Sequence, residues 1–386
     1  MTFQTENWVI GNGWSALATV AILAKRGEKV LWHRHETARF WPALSTIENG
    51  PGVEVWEKLF EEFEISAGEL QTGSFLREFK NKSFRMPPWI QSATAEQRQE
   101  VRDEMLWTYE HRAAPVSEAK WSRPIVELED ELREKISAME NVTIYEGILP
   151  YSIEESDSGI HGRLSNEEIV TANRVFFAGM IEDLRKIEGV QKSVKIQNER
   201  YKWIDFTRKW KPGSALQVEF RHSPILVQSI QSGVMSLIPK GPGEETIRHL
   251  WGYFLDQGKR SRWTIFLSSD EQEDNNEITK KLRRLKQTLN KIFHGSEWLP
   301  EGVNEFTQSI QNETVRLEID CFYSEGKPLE KPIQLSNRFT VLTDGFGPMH
   351  ALKEVGDAFG LLSAPAQVSD PQNTNTDSQP SAPAGI

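Results

Sequence analysis

The stretch Trp8-Val9-Ile10-Gly11-Asn12-Gly13-Trp14-Ser15-Ala16-Leu17 decides the fold of this chain. An apolar run ends in the pattern Gly-x-Gly-x-x-Ala, and a helical pattern begins at once. Gly11 permits a tight turn, Gly13 leaves room for a pyrophosphate beside the backbone, and Ala16 lets the helix pack on the strand. The free N–H groups and positive dipole end of the helix attract phosphate. The stretch predicts a dinucleotide-binding β-α-β unit, with a glycine turn before an ordinary helix as the alternative.

The residues that follow support the same interpretation. Residues 16–25 are rich in Ala, Leu, Val and Ile, and Gly27 is placed to end a helix. Lys29-Val30-Leu31-Trp32 then predicts a second strand. The β-α-β unit is therefore expected over residues 7–33.

The composition of the 386 residues bounds the class of protein. An apolar fraction of 38% and a charged fraction of 26% are typical of a soluble globular chain with one large domain or two. A net charge of −11 argues against nucleic acid as a general partner. Cys321 is the single cysteine, which excludes an internal disulfide and a cysteine-rich metal site. Without a membrane-length apolar run or a signal-peptide pattern, we expect a cytoplasmic protein with no membrane span.

Periodicity along the rest of the chain predicts further helices and strands. Helical spacing is found at 52–65, 95–110, 124–138 and 277–293, and the basic cluster of the last segment is interpreted as a solvated face. Apolar runs predict strands at 142–145, 169–170 and 174–179, and a strand followed by a loop at 75–92. Four β-rich runs predict a meandering antiparallel sheet, at 216–220, 234–238, 250–255 and 263–267.

A second constellation stands near the C-terminus, in Phe339-Thr340-Val341-Leu342-Thr343-Asp344-Gly345-Phe346-Gly347-Pro348-Met349-His350. An apolar strand ends in Thr-Asp-Gly, a glycine loop follows, and a helix begins. With this motif the chain resembles the superfamily of flavin amine oxidases, protoporphyrinogen oxidases and phytoene desaturases. In those proteins the aspartate binds the ribityl-phosphate part of FAD, and the helix N-terminus points at the pyrimidine edge of the flavin.

The resemblance implies that FAD is the cofactor and that both ends of the chain bind it. The implied binding residues are Gly11, Gly13, Trp14, Ser15, Ala16, Arg34, Asp344, Gly347 and Met349. A helix N-terminus near the flavin ring would stabilise the negative charge of reduced flavin.

Three features of the superfamily pattern are not matched by this sequence. Counted from Gly11, the acidic residue that normally binds the adenosine ribose falls on Arg34, and His33, His35 and Glu36 restore it only with a shift. The glycine pair that approaches the pyrophosphate falls on Phe40-Trp41, and the glycine before the C-terminal aspartate is Thr343. Four interpretations of Arg34 stay open: it favours a 2′-phosphate and hence NADP, it stacks on adenine, it weakens nucleotide binding, or it is a solvated charge at the end of the strand.

The implied fold class is α/β, with a Rossmann-like FAD-binding domain and a second, antiparallel-sheet (α+β) substrate domain. The expected FAD-binding domain combines 1–75, 121–190 and 305–363, and the substrate domain combines 76–120 and 191–304. Residues 364–386 are dominated by Pro, Ser, Asn, Gln and Asp, which predicts a disordered tail.

The implied function is that of an FAD-dependent oxidoreductase. Its substrate would be a small or medium apolar or amine-bearing molecule, oxidised by hydride transfer to the flavin. His350 and Lys240 are the candidate catalytic residues, with a core or capping histidine and a surface lysine as the alternatives. Two other functions stay open: a non-catalytic member of the fold that binds a nucleotide or a partner, and an NADP-dependent reductase.

Overall fold

The computed structural model describes residues 2–35, 47–73, 76–80, 83–85, 118–190, 207–223, 235–239, 250–294, 299–325, 328 and 331–362. The strands are β1 (Thr2–Ile10), β2 (Val30–His35), β3 (Ile47–Glu48), β4 (Leu70–Gly73), β5 (Leu76–Lys80), β6 (Ser83–Arg85), β7 (Glu118–Trp121), β8 (Val142–Gly147), β9 (Ser152–Ser156), β10 (Gly159–Arg163), β11 (Ile169–Gly179), β12 (Lys211–His222), β13 (Met235–Pro239), β14 (Leu250–Leu255), β15 (Arg260–Leu267), β16 (Ile310–Glu325), β17 (Ile333–Ser336) and β18 (Phe339–Thr343). The helices are α1 (Trp14–Lys25), α2 (Pro51–Glu62), α3 (Ile125–Ser137), α4 (Ile181–Lys186), α5 (Ser269–Gln272), α6 (Asn275–Ile292), α7 (Phe306–Ser309) and α8 (Pro348–Phe359).

A mostly parallel sheet holds both ends of the described chain. Its main path runs β17-β18-β11-β1-β2-β8, and the β9–β10 hairpin joins it through β11. All pairs from β18 to β8 along this path are parallel, whereas β17 lies antiparallel to β18. A parallel sheet is covered on both faces, which explains the unbroken apolar run that ends β1. The first and last thirds of the sequence therefore contribute strands to one sheet, in which β11 lies between β1 and β18.

Helices α1, α2 and α8 cover one face of this sheet. Every residue of α1 from Trp14 to Ala24 is buried, because strands lie on one side of it and helices on the other. Helices α2 and α8 approach closely at Gly52, where a Cβ would lie 2.5 Å from the carbonyl oxygen of Met349. This packing fixes the start of α8 against the rest of the first sheet.

A second sheet runs in the order β16-β12-β15-β14-β13-β5-β6. Its described pairs are antiparallel apart from β13 with β5. Leu285, Leu289 and Ile292 of α6 join the core of this sheet, so the apolar stripe of α6 faces the strands. A small third sheet has the order β3-β7-β4.

The predicted fold class is confirmed: a Rossmann-like α/β unit stands beside a separate, largely antiparallel sheet. The helices predicted at 52–65, 124–138 and 277–293 are α2, α3 and α6. The four β-rich runs are β12 to β15, but β12 pairs with β15 rather than with β13, because β12 lies between β15 and β16.

Strand β16 was not predicted, and it lies inside the segment 305–363 while pairing with β12 of the second sheet. The domain boundaries themselves stay a prediction. The helix at 95–110 and the tail at 364–386 lie outside the described residues. Among the helices that the structure describes, none is both long enough and apolar enough to cross a membrane.

Candidate functional site

The carboxyl ends of five parallel strands meet at one edge of the first sheet. Ligands of open α/β sheets bind outside this edge, where the loops that leave the strands converge. Gly11 follows β1, Gly179 ends β11, and Asp344 follows β18. The two sequence motifs therefore face the same edge, and its geometry defines the candidate site.

Gly11 makes the turn from β1 possible because it lies against the backbone of β11. Its φ is 145°, and a Cβ there would lie 1.9 Å from the carbonyl oxygen of Ala178. Gly13 stands before the first residue of α1 with a φ of −86°, which other residues adopt easily. Gly11 is thus required by the fold itself, while the role of Gly13 depends on the space beside it.

Asp344 joins the C-terminal motif to the N-terminal one. Its Oδ1 accepts a hydrogen bond of 2.8 Å from the backbone N–H of Ser15, a residue 329 positions away in the sequence. The side chain is 1% exposed, and burial raises the pKa of its carboxyl to about 6, although hydrogen bonds from Ser15 and the charge of Arg133 act in the opposite direction. A carboxylate at this place is favoured by the positive end of the α1 dipole. Asp344 therefore caps α1, whereas α8 begins after Gly347 without a side-chain cap.

Arg133 of α3 holds the glycine turn from its outer side. Its guanidinium donates to Asn12 Oδ1 at 2.9 Å and to the Asn12 carbonyl oxygen at 2.7 Å. It also forms a buried ion pair of 2.8 Å with Glu129, one helical turn earlier. This pair was not predicted, although the i,i+4 Glu–Arg spacing on the apolar face of a predicted helix is a signal for it.

The end of β2 carries Arg34 where the superfamily pattern has an acid. Arg34 Nη2 forms an ion pair with Glu146 Oε1 of β8, and the two residues are direct partners in the strand register. The Arg34 guanidinium also lies 5.1 Å from the ring centroid of Trp32. The indole N–H of Trp32 in turn donates to the Gly11 carbonyl oxygen at 3.0 Å. These contacts link the glycine turn to the ends of β2 and β8.

Two buried histidines flank Arg34. His33 Nε2 donates to the carbonyl oxygen of Ile148 at 2.8 Å, and burial lowers the pKa of His33 to about 4. Burial also lowers the pKa of His35, with the charge of Asp183 opposing and that of Lys186 adding to the shift. Both imidazoles are therefore neutral at pH 7, so neither supplies a positive charge to the site.

An aromatic cluster lies against the Asp-Gly-Phe-Gly loop. The Phe346 ring centroid is 4.6 Å from that of Trp210 and 4.9 Å from that of Tyr323. Tyr323 lies in β16 of the second sheet, and its hydroxyl accepts from the Ile181 N–H at 2.7 Å and donates to Glu182 at 3.0 Å. The loop thus stands between the two sheets, and no local sequence pattern marked Trp210 or Tyr323 as part of it.

Glu354 of α8 is a second buried carboxyl near Asp344. Its two oxygens form hydrogen bonds with the N–H of Thr343 at 2.6 Å and with the Thr343 hydroxyl at 2.7 Å. Burial raises the pKa of Glu354 to about 8. At neutral pH Glu354 is mostly protonated, so one oxygen accepts from the Thr343 N–H while the other carries the proton and donates it to the Thr343 hydroxyl. These hydrogen bonds fasten α8 to the end of β18.

The remaining predicted site residues fall into two groups. Met349 is buried in the first turn of α8, and His350 follows it there, partly exposed, with its ring centroid 6.5 Å from that of Phe346. The others lie outside the described residues, namely Glu36, Phe40, Trp41 and Lys240. In the described part of the chain, no group of His, Cys, Asp and Glu side chains has the arrangement of a metal site.

Comparison with solved structures shows proteins of the same fold. An oxidoreductase from Methanosarcina mazei aligns with a TM-score of 0.57 and 12% identity, over 92% of this chain and 99% of that chain. A putrescine oxidase from a structure-based redesign of cofactor binding aligns with a TM-score of 0.55 and 10% identity, over 93% of this chain and 99% of that chain. No protein-family model matches the chain, and no curated protein matches its sequence. The fold that the resemblance implies is therefore confirmed.

Proposed function

We propose that this protein is an FAD-dependent oxidoreductase that binds the dinucleotide at the carboxyl edge of the first sheet. The observation that carries the proposal is the contact of Asp344 with Ser15, which brings the two FAD motifs together at 2.8 Å. Each motif was recognised in the sequence without reference to the other. If either resemblance were accidental, the two motifs would not be expected to be in contact in the folded chain. The shared fold of the two oxidoreductases supports the same conclusion.

The first turn of α1 fits the phosphates of FAD. Ser15 donates to Asp344, while the described residues provide no acceptor for the neighbouring amides of Trp14 and Ala16. Such amides at a helix start are donors for phosphate oxygens. Gly11, Gly13 and the Asn12 backbone, which Arg133 fixes, would form the wall of the phosphate site. Gly347 and Met349 would lie at the flavin end, at the start of α8.

The bound flavin would supply the hydride acceptor, and the protein would orient it and the substrate. Among the titrating groups, His350 is placed at the start of α8, next to the proposed flavin end. Lys240 stays a second candidate. The proposed substrate is a small or medium apolar or amine-bearing molecule, and the proposed location is the cytoplasm.

A second candidate function is that of a non-catalytic member of the fold. The observation in its favour is Asp344 itself, because a carboxylate already occupies the Ser15 amide that a phosphate oxygen would otherwise use. With a pKa of about 6, this carboxyl is mostly ionised at pH 7 and would repel a phosphate at this position. The two candidates differ in whether the purified chain carries a flavin.

The test is the visible absorption spectrum of the purified full chain, followed by acid denaturation and chromatography of the released cofactor. We expect flavin bands and about one FAD released per chain, as for a single dinucleotide site. A chain that carries no flavin, and that also fails to take up added FAD, would refute the oxidoreductase proposal and favour the second candidate.

A further inference from the structure

The ribose-binding acid that β2 lacks has a counterpart on the neighbouring strand. Arg34 and Glu146 are direct partners in the parallel pairing of β2 with β8. Paired strands lie about 4.8 Å apart, so Glu146 starts at the same level of the sheet edge as the missing acid, one strand away. An acidic group is therefore present at the carboxyl edge even though position 34 is basic.

Arg34 orients this acid. Its side chain is 24% exposed, and it is held between the Glu146 carboxylate and the face of Trp32, which is itself bonded to the glycine turn. Glu146, by contrast, has 70% of its side chain exposed. The arginine is thus the fixed member of the pair, and the glutamate is the member that faces solvent.

The Glu146 carboxylate retains acceptor capacity. A carboxylate has two oxygens with about four lone-pair sites, and Arg34 contacts Oε1. Among the described residues, no donor approaches Oε2. The adenosine ribose of a dinucleotide presents two neighbouring hydroxyls, which an acid at the end of β2 accepts in the usual arrangement of this fold.

We propose that Glu146 accepts the ribose hydroxyls of the adenosine half of the cofactor, with Arg34 as its positioning residue. This inference rests on the proposed FAD site. The pair also sets specificity, because Glu146 repels a 2′-phosphate while the charge of Arg34 is already compensated. The site therefore selects FAD and ADP over nucleotides that carry a 2′-phosphate.

The test measures the affinity of the full chain, freed of flavin, for FAD by flavin fluorescence. ADP and its 2′-phosphorylated analogue are then measured as competitors. For Glu146→Gln we expect a roughly tenfold loss of affinity for FAD and for ADP, the size of a hydrogen bond to a charged group. The preference of the wild type for ADP over the 2′-phosphate analogue should shrink in this variant.

Two further variants separate recognition of the ribose from a structural role. Glu28→Gln removes the carboxylate of the Arg174–Glu28 ion pair, which precedes β2 at the opposite end of the strand, and should leave FAD affinity unchanged. The exchanged pair Arg34→Glu with Glu146→Arg returns the acid to β2 and should recover most of the FAD affinity. The thermal midpoint of the flavin-free chain should stay within error in Glu146→Gln, since exposed ion pairs contribute little to stability.

Three results would overturn the inference, and they are distinguishable. Unchanged FAD affinity in Glu146→Gln refutes the role of Glu146 and leaves the proposed FAD site intact. A wild-type preference for the 2′-phosphate analogue makes Arg34 a phosphate receptor instead. Failure of the wild type to bind both FAD and ADP refutes this inference together with the proposed function.

Discussion

Replacing Glu354 with glutamine should remove a contribution that lowers the stability of the wild-type chain as the pH rises from 6.5 to 8. Burial raises the pKa of Glu354 from its ordinary value of 4.5 to about 8. In this interval the folded chain keeps the proton and the unfolded chain has released it, so the free energy of unfolding falls as the pH rises. Glutamine preserves both contacts with Thr343, because its carbonyl accepts from the N–H and its amide donates to the hydroxyl.

The size of the effect follows from the width of the interval. One pH unit corresponds to about 1.36 kcal/mol for a group that is protonated in one state only, so 1.5 units give about 2 kcal/mol. The buried histidines act in the opposite direction at the start of this interval, by up to about 0.4 kcal/mol each, because their lowered pKa values keep the folded imidazoles neutral while the unfolded ones, with an ordinary pKa of 6.5, still release protons. Asp344, whose pKa is raised only to about 6, has released most of its proton below the interval. The difference between the wild type and Glu354→Gln cancels these contributions and isolates Glu354.

The assay is urea unfolding of the flavin-free full chain at pH 6.5 and pH 8, followed by tryptophan fluorescence. Between the two conditions the free energy of unfolding of the wild type should fall by about 2 kcal/mol relative to that of Glu354→Gln. The exposed Glu134 of α3 offers a matched control, and Glu134→Gln should behave as the wild type. Equal losses in the wild type and in Glu354→Gln would show that Glu354 does not hold a proton in the folded chain.

Three further substitutions test the packing and charges of the same edge. Asp344→Asn keeps an acceptor for Ser15 but removes a carboxylate whose folded pKa is about 6. Above pH 6 the flavin-free variant should therefore gain up to about 3 kcal/mol in its free energy of unfolding in urea, while its FAD affinity falls about tenfold in a fluorescence titration. A gain in both the free energy of unfolding and the FAD affinity would place Asp344 outside the cofactor contacts. Gly11→Ala places a Cβ 1.9 Å from a backbone oxygen and should lower the free energy of unfolding by about 4 kcal/mol. Gly27→Ala has open space around its Cβ and should lower it by only about 1–2 kcal/mol. Similar losses in the two variants would contradict the predicted steric clash at position 11. Arg133→Met leaves a buried charge on Glu129 and should lower the free energy of unfolding in urea by about 3–5 kcal/mol. Adding Glu129→Gln should recover most of that loss. If it recovers none, the arginine stabilises the chain through Asn12 alone.

The sequence predicted the parts of this structure that rest on local patterns. The turn at Gly11, the helix after it and the strand before Asp344 each have a signal within about ten residues, in the form of glycine spacing or apolar periodicity. Strand β16 was not predicted although residues 315–321 alternate between apolar and polar side chains, which is a strand signal. Val315 and Ile319 are exposed, as expected for a strand at the end of the sheet order, so the alternation marks no core face. The segment forms a strand by pairing with β12, which lies about a hundred positions earlier in the chain.

The departure at Arg34 illustrates why the candidate site could be predicted only in part. Counting residues along β2 finds a basic side chain where an acid is expected. Such a count does not consider residues on the neighbouring strand, which are distant in sequence. The register between β2 and β8 places Glu146 beside Arg34, although 112 positions separate them in the sequence. Asp344 presents the same problem, since its partner Ser15 is distant in sequence and adjacent in space. The charge of a site therefore depends on the residues that strand pairing brings together as well as on sequence position. In the proposed site the acid for the ribose is not lost but lies one strand away, at Glu146.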